Sequence, residues 1–118
     1  MTRRTDRVAE LLRTELNDLL LHRVKDPRVK LATVTEVEVT GDLSRARVRI
    51  SVLGEEADRE SAMEGLHHAA GFLRTQLSRR LRLRTTPELV LVLDRGAEHS
   101  QRISDLLEEL DVRPEPSS

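Results

Sequence analysis

Residues 34–52 read VTEVEVTGDLSRARVRISV, and this stretch decides the fold. Apolar residues alternate with charged or polar residues in both halves of it, which is the period of a β-strand with one buried face. The segment 41–44, Gly-Asp-Leu-Ser, separates the two halves and has the composition of a turn. The stretch therefore predicts an antiparallel β-hairpin.

One register of this hairpin puts the apolar residues of both strands on one face. It pairs Val39 with Ala46 and Val37 with Val48, and on the other face Glu38 with Arg47 and Glu36 with Arg49. Opposite charges that face each other across strands stabilise a hairpin by about 0.2–1 kcal/mol per pair. We therefore interpret Arg47 and Arg49 as part of a salt-bridged solvent face, and we expect Arg45, opposite Thr40, to be unpaired.

Helical periodicity flanks the hairpin on both sides. Residues 6–25 carry an apolar stripe that ends at Asp26-Pro27, because the residue before a proline is disfavoured in a helix. The helical period returns at Glu55 and continues to Thr86-Pro87. Gly71 interrupts it, at a cost of about 1 kcal/mol relative to alanine in a helix interior. We therefore predict two helices here, separated by a break.

The rest of the chain predicts a strand, a short helix and a tail. Residues 88–94, ELVLVLD, have the composition of a buried strand. A last helix is expected over residues 99–110, and the sequence DVRPEPSS of residues 111–118 is typical of a disordered tail. The predicted organisation is one α+β domain over residues 1–110, followed by the tail.

Composition limits the possible functions. The chain has 118 residues, a net charge of -1, no cysteine, and Phe72 as its only aromatic residue besides histidine. Without cysteine there is no disulfide scaffold, thiolate zinc site or cysteine nucleophile. RNA-binding modules that stack bases on a platform of aromatic rings are excluded too, so nucleic acid would be bound through phosphate and groove shape. No signal peptide or membrane span is evident, which predicts a cytoplasmic protein.

Catalytic and metal-binding patterns are weak. The five glycines form neither a P-loop nor a dinucleotide-binding fingerprint. His67 and His68 are adjacent and would point in different directions on a helix, so they cannot chelate one metal together. Asp94, His99 and Ser100 are close in sequence but lack the surroundings of a nucleophile elbow. We therefore expect no enzyme, no cofactor and no metal site.

A cluster of arginines is the strongest functional signal. Five arginines and no acidic residue lie between Ala69 and Thr86; they are Arg74, Arg79, Arg80, Arg82 and Arg84. Attraction of cations to a helix C-terminus explains one or two of them. The others would repel one another unless an anion came near, and the arginine fork suits phosphate. We predict a phosphate-binding surface here, to which Arg3, Arg4 and Arg7 are expected to add.

The segment Ala69-Ala70-Gly71 comes directly before this cluster. A glycine between two helices lets the backbone approach a partner closely, and the N-terminus of a following helix offers N–H groups to an anion. Alternatively, Gly71 lets two helices pack tightly against the hairpin. The residues alone leave both explanations open.

The order and motifs of the chain resemble those of the ribosome-binding factor A family, bacterial factors for maturation of the small ribosomal subunit. The matching segments follow one another in the family's order over nearly the whole chain. They are RVAELLRTEL (7–16), KDPRV (25–29), VTEVEVTGDLSRARVRISVL (34–53), AAGFLRTQLSRRLRLRTTPEL (69–89) and HSQRISDLL (99–107). The most specific piece is the run Gly-Phe-Leu-Arg that leads to Arg-Leu-Arg-Thr-Thr-Pro-Glu-Leu.

The resemblance implies a KH-like fold of the bacterial type, with the order helix-strand-strand-helix-kink-helix-strand. Ordinary KH domains clamp four nucleotides with a Gly-x-x-Gly loop between two helices. This chain has Ala69-Ala70-Gly71, like the helix kink of the family, so the resemblance does not imply that clamp. It does imply binding to the free 30S subunit and its 16S ribosomal RNA, without catalysis. A part in maturing the 5′ end of that RNA and in cold adaptation is implied as well.

Other expectations concern partners. We expect a monomer when the chain is not bound to the subunit, and the apolar residues within 103–110 are a candidate contact for a ribosome-assembly GTPase or a ribosomal protein. A DNA-binding domain would use the same arginines, but the helix-break-helix segment is not a recognition-helix motif with polar base-reading residues. A protein-binding module would need an exposed apolar patch, which the pattern does not show.

Overall fold

The structure, a computed structural model, describes residues 3–96 and contains two helices and a three-stranded sheet. The elements are α1 (Arg3–His22), a 3₁₀ turn (Pro27–Val29), β1 (Ala32–Val39), β2 (Arg45–Val52), α2 (Glu56–Leu81) and β3 (Glu88–Leu93). The strand order is β1-β2-β3, with β1 antiparallel and β3 parallel to β2. This arrangement confirms the predicted α+β class and is consistent with a KH-like fold.

The hairpin has the predicted register. The Cα partners include Val39 with Ala46, Val37 with Val48, Glu38 with Arg47 and Glu36 with Arg49. The four apolar residues of these pairs are all buried in the core. Alternation of apolar and charged residues was therefore sufficient to predict which face of the hairpin meets the helices.

Ion pairs on the other face of the hairpin differ from the predicted ladder. Arg49 Nε lies 3.6 Å from Glu36 Oε2 and 3.4 Å from Glu38 Oε1, so one arginine pairs with both acids. The expectation that Arg45 is unpaired is wrong, since its Nε lies 3.9 Å from Glu88 Oε2. Glu88 belongs to β3, which runs beside β2 and brings this residue opposite Arg45. The hairpin sequence alone carries no information about that neighbour.

β3 is only half-buried, so the prediction of a buried strand is wrong. Leu89, Leu91 and Leu93 pack against the core, whereas Val90 is 42% exposed. Successive residues of a strand point to opposite faces, and the core lies on the face of the leucines. A short apolar run does not by itself distinguish a strand covered on both faces from one covered on a single face.

α1 is joined to the sheet by hydrogen bonds as well as by apolar contacts. Leu12, Leu16 and Leu19 are buried in the core. Between them, Asn17 Nδ2 donates to the Val34 carbonyl at 3.0 Å, and the Val34 N–H donates to Asn17 Oδ1 at 2.8 Å. β1 stands at one end of the strand order, and its pairing with β2 shifts next to Val34. Asn17 therefore forms hydrogen bonds with backbone groups of Val34 that have no partner in a neighbouring strand.

α2 runs without a break from Glu56 to Leu81, so the predicted break at Ala69-Ala70-Gly71 is wrong. Buried leucines precede and follow Gly71, and they pack the helix against the core on both sides of it. Burial of one leucine side chain contributes about 1.5–3 kcal/mol, more than the cost of about 1 kcal/mol for glycine. Gly71 itself is exposed, and apart from its chain neighbours and the backbone of the same helix no described atom lies within 4 Å of the place of a Cβ. It therefore neither packs tightly nor precedes a new helix N-terminus.

Close packing occurs instead at Gly65, earlier in α2. A Cβ at Gly65 would lie 3.1 Å from Val29 Cγ1 and 3.2 Å from Arg28 Cβ. The 3₁₀ turn that carries these residues is held by Asp26, whose Oδ1 accepts a hydrogen bond from the Arg28 N–H at 2.9 Å. Asp26 Oδ2 also accepts from Arg28 Nη2 at 2.6 Å. The absent side chain at Gly65 thus lets α2 lie directly on the turn.

Two predicted elements, the helix over 99–110 and the tail over 111–118, lie outside the described residues. Neither α1 nor α2, the two helices between residues 3 and 96, has a stretch long and apolar enough to cross a bilayer.

The two glycines of α2 should respond in opposite ways to substitution by alanine. Gly71→Ala should stabilise the fold by about 0.5–1 kcal/mol, because the position is helical, exposed and open. Gly65→Ala should destabilise it by about 1–3 kcal/mol, because the added methyl group meets the 3₁₀ turn. Urea unfolding of both variants measures the difference. Destabilisation by Gly71→Ala would contradict an open, unstrained helical position at Gly71 and would favour the predicted kink at Ala69-Ala70-Gly71.

Removal of the Asn17 side chain should loosen α1 from the sheet. Asn17→Ala leaves the N–H and carbonyl of Val34 without their partners, which should cost about 1–3 kcal/mol in the free energy of unfolding. Thr14→Ala, an exposed position of the same helix, is the matched control and should change stability by less than about 0.5 kcal/mol. Equal unfolding curves for the two variants would contradict this role of Asn17.

Candidate nucleic-acid interface

Positive charge is concentrated in the second half of α2 and the loop after it. Residues 65–87 contain five arginines and no acidic residue. Four of the arginines are exposed, and none of these four forms an ion pair within residues 3–96. They are Arg74, Arg79, Arg82 and Arg84, and we call them the arginine surface. Such a group of uncompensated guanidinium groups attracts anions.

A groove lies between two members of the arginine surface. Arg74 and Arg79 line it together with Thr75, Ser78 and Thr86, and its volume is about 390 Å³. Arg74 Nη2 donates to the Thr86 carbonyl at 2.9 Å, which holds the guanidinium in place and ties the loop after α2 to the helix. The guanidinium keeps further N–H donors for a ligand, and the hydroxyl groups beside it can donate as well. This is a suitable donor set for phosphate oxygens.

Arg82 ends α2 in a backbone conformation that is uncommon for arginine. Its φ of 48° and ψ of 40° lie in the left-handed region. Glycine is the usual residue for this conformation at a helix end, and other residues are less stable there by about 1–2 kcal/mol. The chain thus carries an exposed cation where glycine would give a more stable helix end.

Arg80 is not part of the arginine surface. Its Nη1 lies 2.8 Å from Glu15 Oε2 and 2.6 Å from Asp18 Oδ2, both on α1, and its side chain is 26% exposed. The hydrogen bond from Arg80 lowers the pKa of Asp18, and the hydrogen bond to His22 lowers it further. The pKa of Arg80 is raised, mainly by its hydrogen bond to Asp18 and secondly by the one to Glu15. Arg80 therefore has two acidic partners in the fold, although no acidic residue lies near it in the sequence. Its partners precede it by 65 and 62 residues, so the charges of neighbouring residues in the sequence could not predict them.

The arginines near the N-terminus form a separate patch. Arg3, Arg4 and Arg7 are exposed in the first turns of α1. Arg3 and Arg7 line a groove of about 460 Å³ that also contains Asp6 and Glu10, and it shares no residue with the groove of the arginine surface. The structure does not bring the two groups of predicted site residues together in one groove, and acidic residues lie among the N-terminal arginines.

Arg47 is an exposed arginine on a different part of the molecule. Its cross-strand neighbour is Glu38, but Glu38 pairs with Arg49 instead. Over residues 3–96 no ion pair of Arg47 is found, so half of the predicted charge ladder is missing. A single unpaired arginine therefore does not distinguish the arginine surface; the grouping of four, with no acid among them, does.

The hydroxyl residues of the groove were not predicted from the sequence. Thr75, Ser78 and Arg79 have the spacing i, i+3 and i+4, which places them on one face of a continuous helix. That spacing is visible in the sequence once the helix is drawn without a break at Gly71. The wrong prediction of a break hid it.

Comparisons by sequence and by structure both find similarity to ribosome-binding factor A. A family model described as ribosome-binding factor A matches residues 4–107. A protein of Synechococcus sp. (strain CC9311) named ribosome-binding factor A is 47% identical over 111 residues, which are 92% of this chain and 83% of that protein.

Three known structures resemble the chain. The crystal structure of ribosome-binding factor A from Thermus thermophilus has a TM-score of 0.68 and 29% identity, over 78% of this chain and 98% of that one. The solution structure of a Thermotoga maritima protein, described as a putative ribosome binding factor A, has a TM-score of 0.70 and 32% identity. The match covers 80% of this chain and 90% of that one. A Thermus thermophilus ribosome binding factor A homology model, fitted into a cryo-EM map of a 30S complex, has a TM-score of 0.63 and 31% identity, over 75% and 92%.

Replacement of Arg82 should separate stability from binding. Arg82→Gly should stabilise the fold by about 1 kcal/mol, because glycine adopts the left-handed conformation without strain. The same variant should bind polyanions more weakly, since one cation of the arginine surface is lost. Arg82→Lys keeps both the charge and the strain and should have the stability of the wild type. Thermal unfolding gives the stabilities, and a lower stability of Arg82→Gly would show that the arginine side chain supports the fold.

Proposed function

The chain belongs to the ribosome-binding factor A family, and from this premise we propose that it binds the free or immature 30S ribosomal subunit through phosphates of 16S ribosomal RNA. The arginine surface at the end of α2 is the proposed contact. In this proposal the protein assists late maturation of the subunit, including processing of the 5′ end of the RNA, by binding and not by catalysis. It acts where the subunits are assembled, in the cytoplasm.

The observation that carries the proposal is the set of four exposed arginines without an acidic partner in the described part of the chain. Ribosomal RNA offers a dense array of phosphates, and contacts to phosphate supply much of the affinity of nucleic-acid-binding proteins. A known relative supports the partner: a ribosome binding factor A of Thermus thermophilus was placed in a map of its complex with the 30S subunit.

We assign different roles to the five arginines of the cluster. Arg74 and Arg79 line the groove and bind phosphate on either side of the hydroxyl residues. Arg82 and Arg84 extend the surface into the loop after α2. Arg80 holds α2 against α1 through its two acidic partners and contributes to binding only by keeping the helix in place.

Arg3, Arg4 and Arg7 have a secondary role in the proposal. Acidic residues accompany them, so their net attraction for RNA is weaker than that of the arginine surface. They become contacts only where the RNA extends along α1 towards its N-terminus.

Charge reversal should abolish binding only on the proposed surface. Arg79→Glu combined with Arg82→Glu should prevent co-sedimentation with free 30S subunits, because two phosphate contacts become repulsive. Arg45→Glu combined with Arg47→Glu makes the same change in net charge on the outer face of the sheet and should leave binding nearly intact. Circular dichroism and thermal unfolding verify that both double variants are folded. Equal loss of binding by both would show that only the total charge matters, and full binding by the first would contradict the proposed surface.

Salt dependence measures the number of phosphates directly. Affinity for the 30S subunit should fall steeply as salt rises, because each phosphate contact releases bound counterions. Arg79→Ala should reduce the slope of log affinity against log salt by about 0.7–0.9, the value for one lost contact. Arg47→Ala should leave the slope unchanged. A wild-type protein that binds duplex DNA but does not follow the subunit through a sucrose gradient would contradict the proposed partner.

A further inference from the structure

A second groove lies where α2 passes the end of α1, and nothing in the proposed phosphate contacts uses it. Its volume is about 300 Å³. Phe72, His68 and Ala69 line it from α2, and Arg23, Val24 and Lys25 line it from the segment after α1. It thus combines the single aromatic ring of the chain with two cations.

Phe72 is exposed although the chain has no other aromatic residue for its core. The residue is 43% exposed, and the buried core consists of leucine, valine, isoleucine and alanine. Full burial of a phenylalanine side chain would contribute about 1.5–3 kcal/mol. Gly71 stands next to it without a side chain. The groove that Phe72 lines, of about 300 Å³, provides the space for a ligand beside the ring.

The charges around Phe72 are positive and uncompensated. Arg23 and Lys25 are exposed, and neither forms an ion pair among residues 3–96. The one acid that lines the groove, Asp26, is engaged by the Arg28 guanidinium at 2.6 Å. The dipole of α1 favours cations after its last turn, which accounts for these two side chains as surface residues. It does not account for an exposed aromatic ring between them and the arginine surface.

Phe72 also lies in line with the arginine surface. Arg79 follows Phe72 by seven positions, nearly two turns of helix, so both lie on the same face of α2 about 10 Å apart along its axis. Thr75 lies between them at spacing i+3. One strand of nucleic acid can therefore contact the ring and the groove of the arginine surface at the same time.

From these observations we infer that the groove at Phe72 binds an unpaired nucleobase of ribosomal RNA. The base stacks on the Phe72 ring, and the guanidinium of Arg23 and the ammonium of Lys25 bind the phosphates of the same strand. Composition excludes a platform of several aromatic rings, but one exposed ring can stack one base, so binding is not limited to phosphate and groove shape. An aromatic face flanked by cations is the arrangement by which proteins bind single-stranded RNA. This inference rests on the proposed function and adds to it that the bound RNA includes a single-stranded segment.

Two substitutions of Phe72 test stacking against mere apolar contact. Phe72→Leu keeps an apolar side chain without a ring and should weaken binding to free 30S subunits about tenfold, the effect of one lost stacking contact. Phe72→Ala should weaken it to a similar degree. The slope of affinity against salt should stay at the wild-type value for both, because no phosphate contact is lost. If Phe72→Leu binds as tightly as wild type and Phe72→Ala does not, the residue contacts an apolar protein surface and the inference is wrong.

Fluorescence gives a readout that does not need the ribosome. The chain has no tryptophan, so Phe72→Trp introduces a single fluorophore into the groove. Oligoadenylate should quench its fluorescence by stacking, and oligouridylate should quench it less. Glu60→Trp, an exposed position near the start of α2, is the control and should not respond. Unchanged fluorescence of Phe72→Trp with both oligonucleotides would overturn the inference.

The two experiments separate this inference from the proposed function. If wild type binds the 30S subunit with a steep salt dependence and Phe72→Leu does so equally well, the inference fails and the proposed function stands. If wild type does not bind the subunit at all, the proposed function fails, and the oligonucleotide titration still decides whether the groove binds bases.

Discussion

The packing of a single unbroken α2 against the core determines which of its residues are available for binding. Ala62, Leu66, Leu73 and Leu77 are fully or almost fully buried, and their spacing fixes the rotation of the helix about its axis. With that rotation fixed, Phe72, Thr75, Ser78 and Arg79 are directed away from the core. Arg80 is directed towards α1, where Glu15 and Asp18 neutralise it. The same apolar contacts thus create the exposed surface and remove one arginine from it.

Three positions in the second half of α2 and at its C-terminal end depart from what stability alone would favour. Gly71 occupies an exposed helical position, Arg82 adopts a left-handed conformation, and Phe72 leaves much of its ring in water. Each choice costs on the order of 1 kcal/mol or more relative to the residue that local structure prefers. Natural sequences commonly break such local rules at functional sites. All three lie in the second half of α2 or directly after its end, which agrees with the placement of the proposed RNA contact there.

The sequence was sufficient for the parts of the fold that depend on neighbouring residues. Alternation along the hairpin predicted its register, and helical periodicity predicted α1, because both follow from side-chain direction in regular structure.

Predictions were wrong where contacts between elements that are distant in the sequence determine the structure. The partners of Arg80 come from α1, and the partner of Arg45 comes from β3. At Gly71 a weak local preference against helix was outweighed by leucine packing on both sides. Four arginines of the candidate site could be selected as candidates from the sequence, because no acid lies near them. The groove between them could not be predicted, because it forms only when the loop after α2 folds back on the helix and Thr86 meets Arg74.

Directed cleavage of RNA by a probe on α2 would show whether the bound RNA lies at the arginine surface. The chain has no cysteine, so Ser78→Cys gives a single site for an iron–EDTA probe in the groove of the arginine surface. Thr33→Cys, an exposed position at the start of β1, gives the matched control. In complexes with free 30S subunits, hydroxyl radicals from position 78 should cut 16S ribosomal RNA at a few defined sites, and those from position 33 should cut weakly or not at all. Strong cleavage from position 33 with none from position 78 would contradict the account, because it would place the RNA on the sheet and not on the arginine surface.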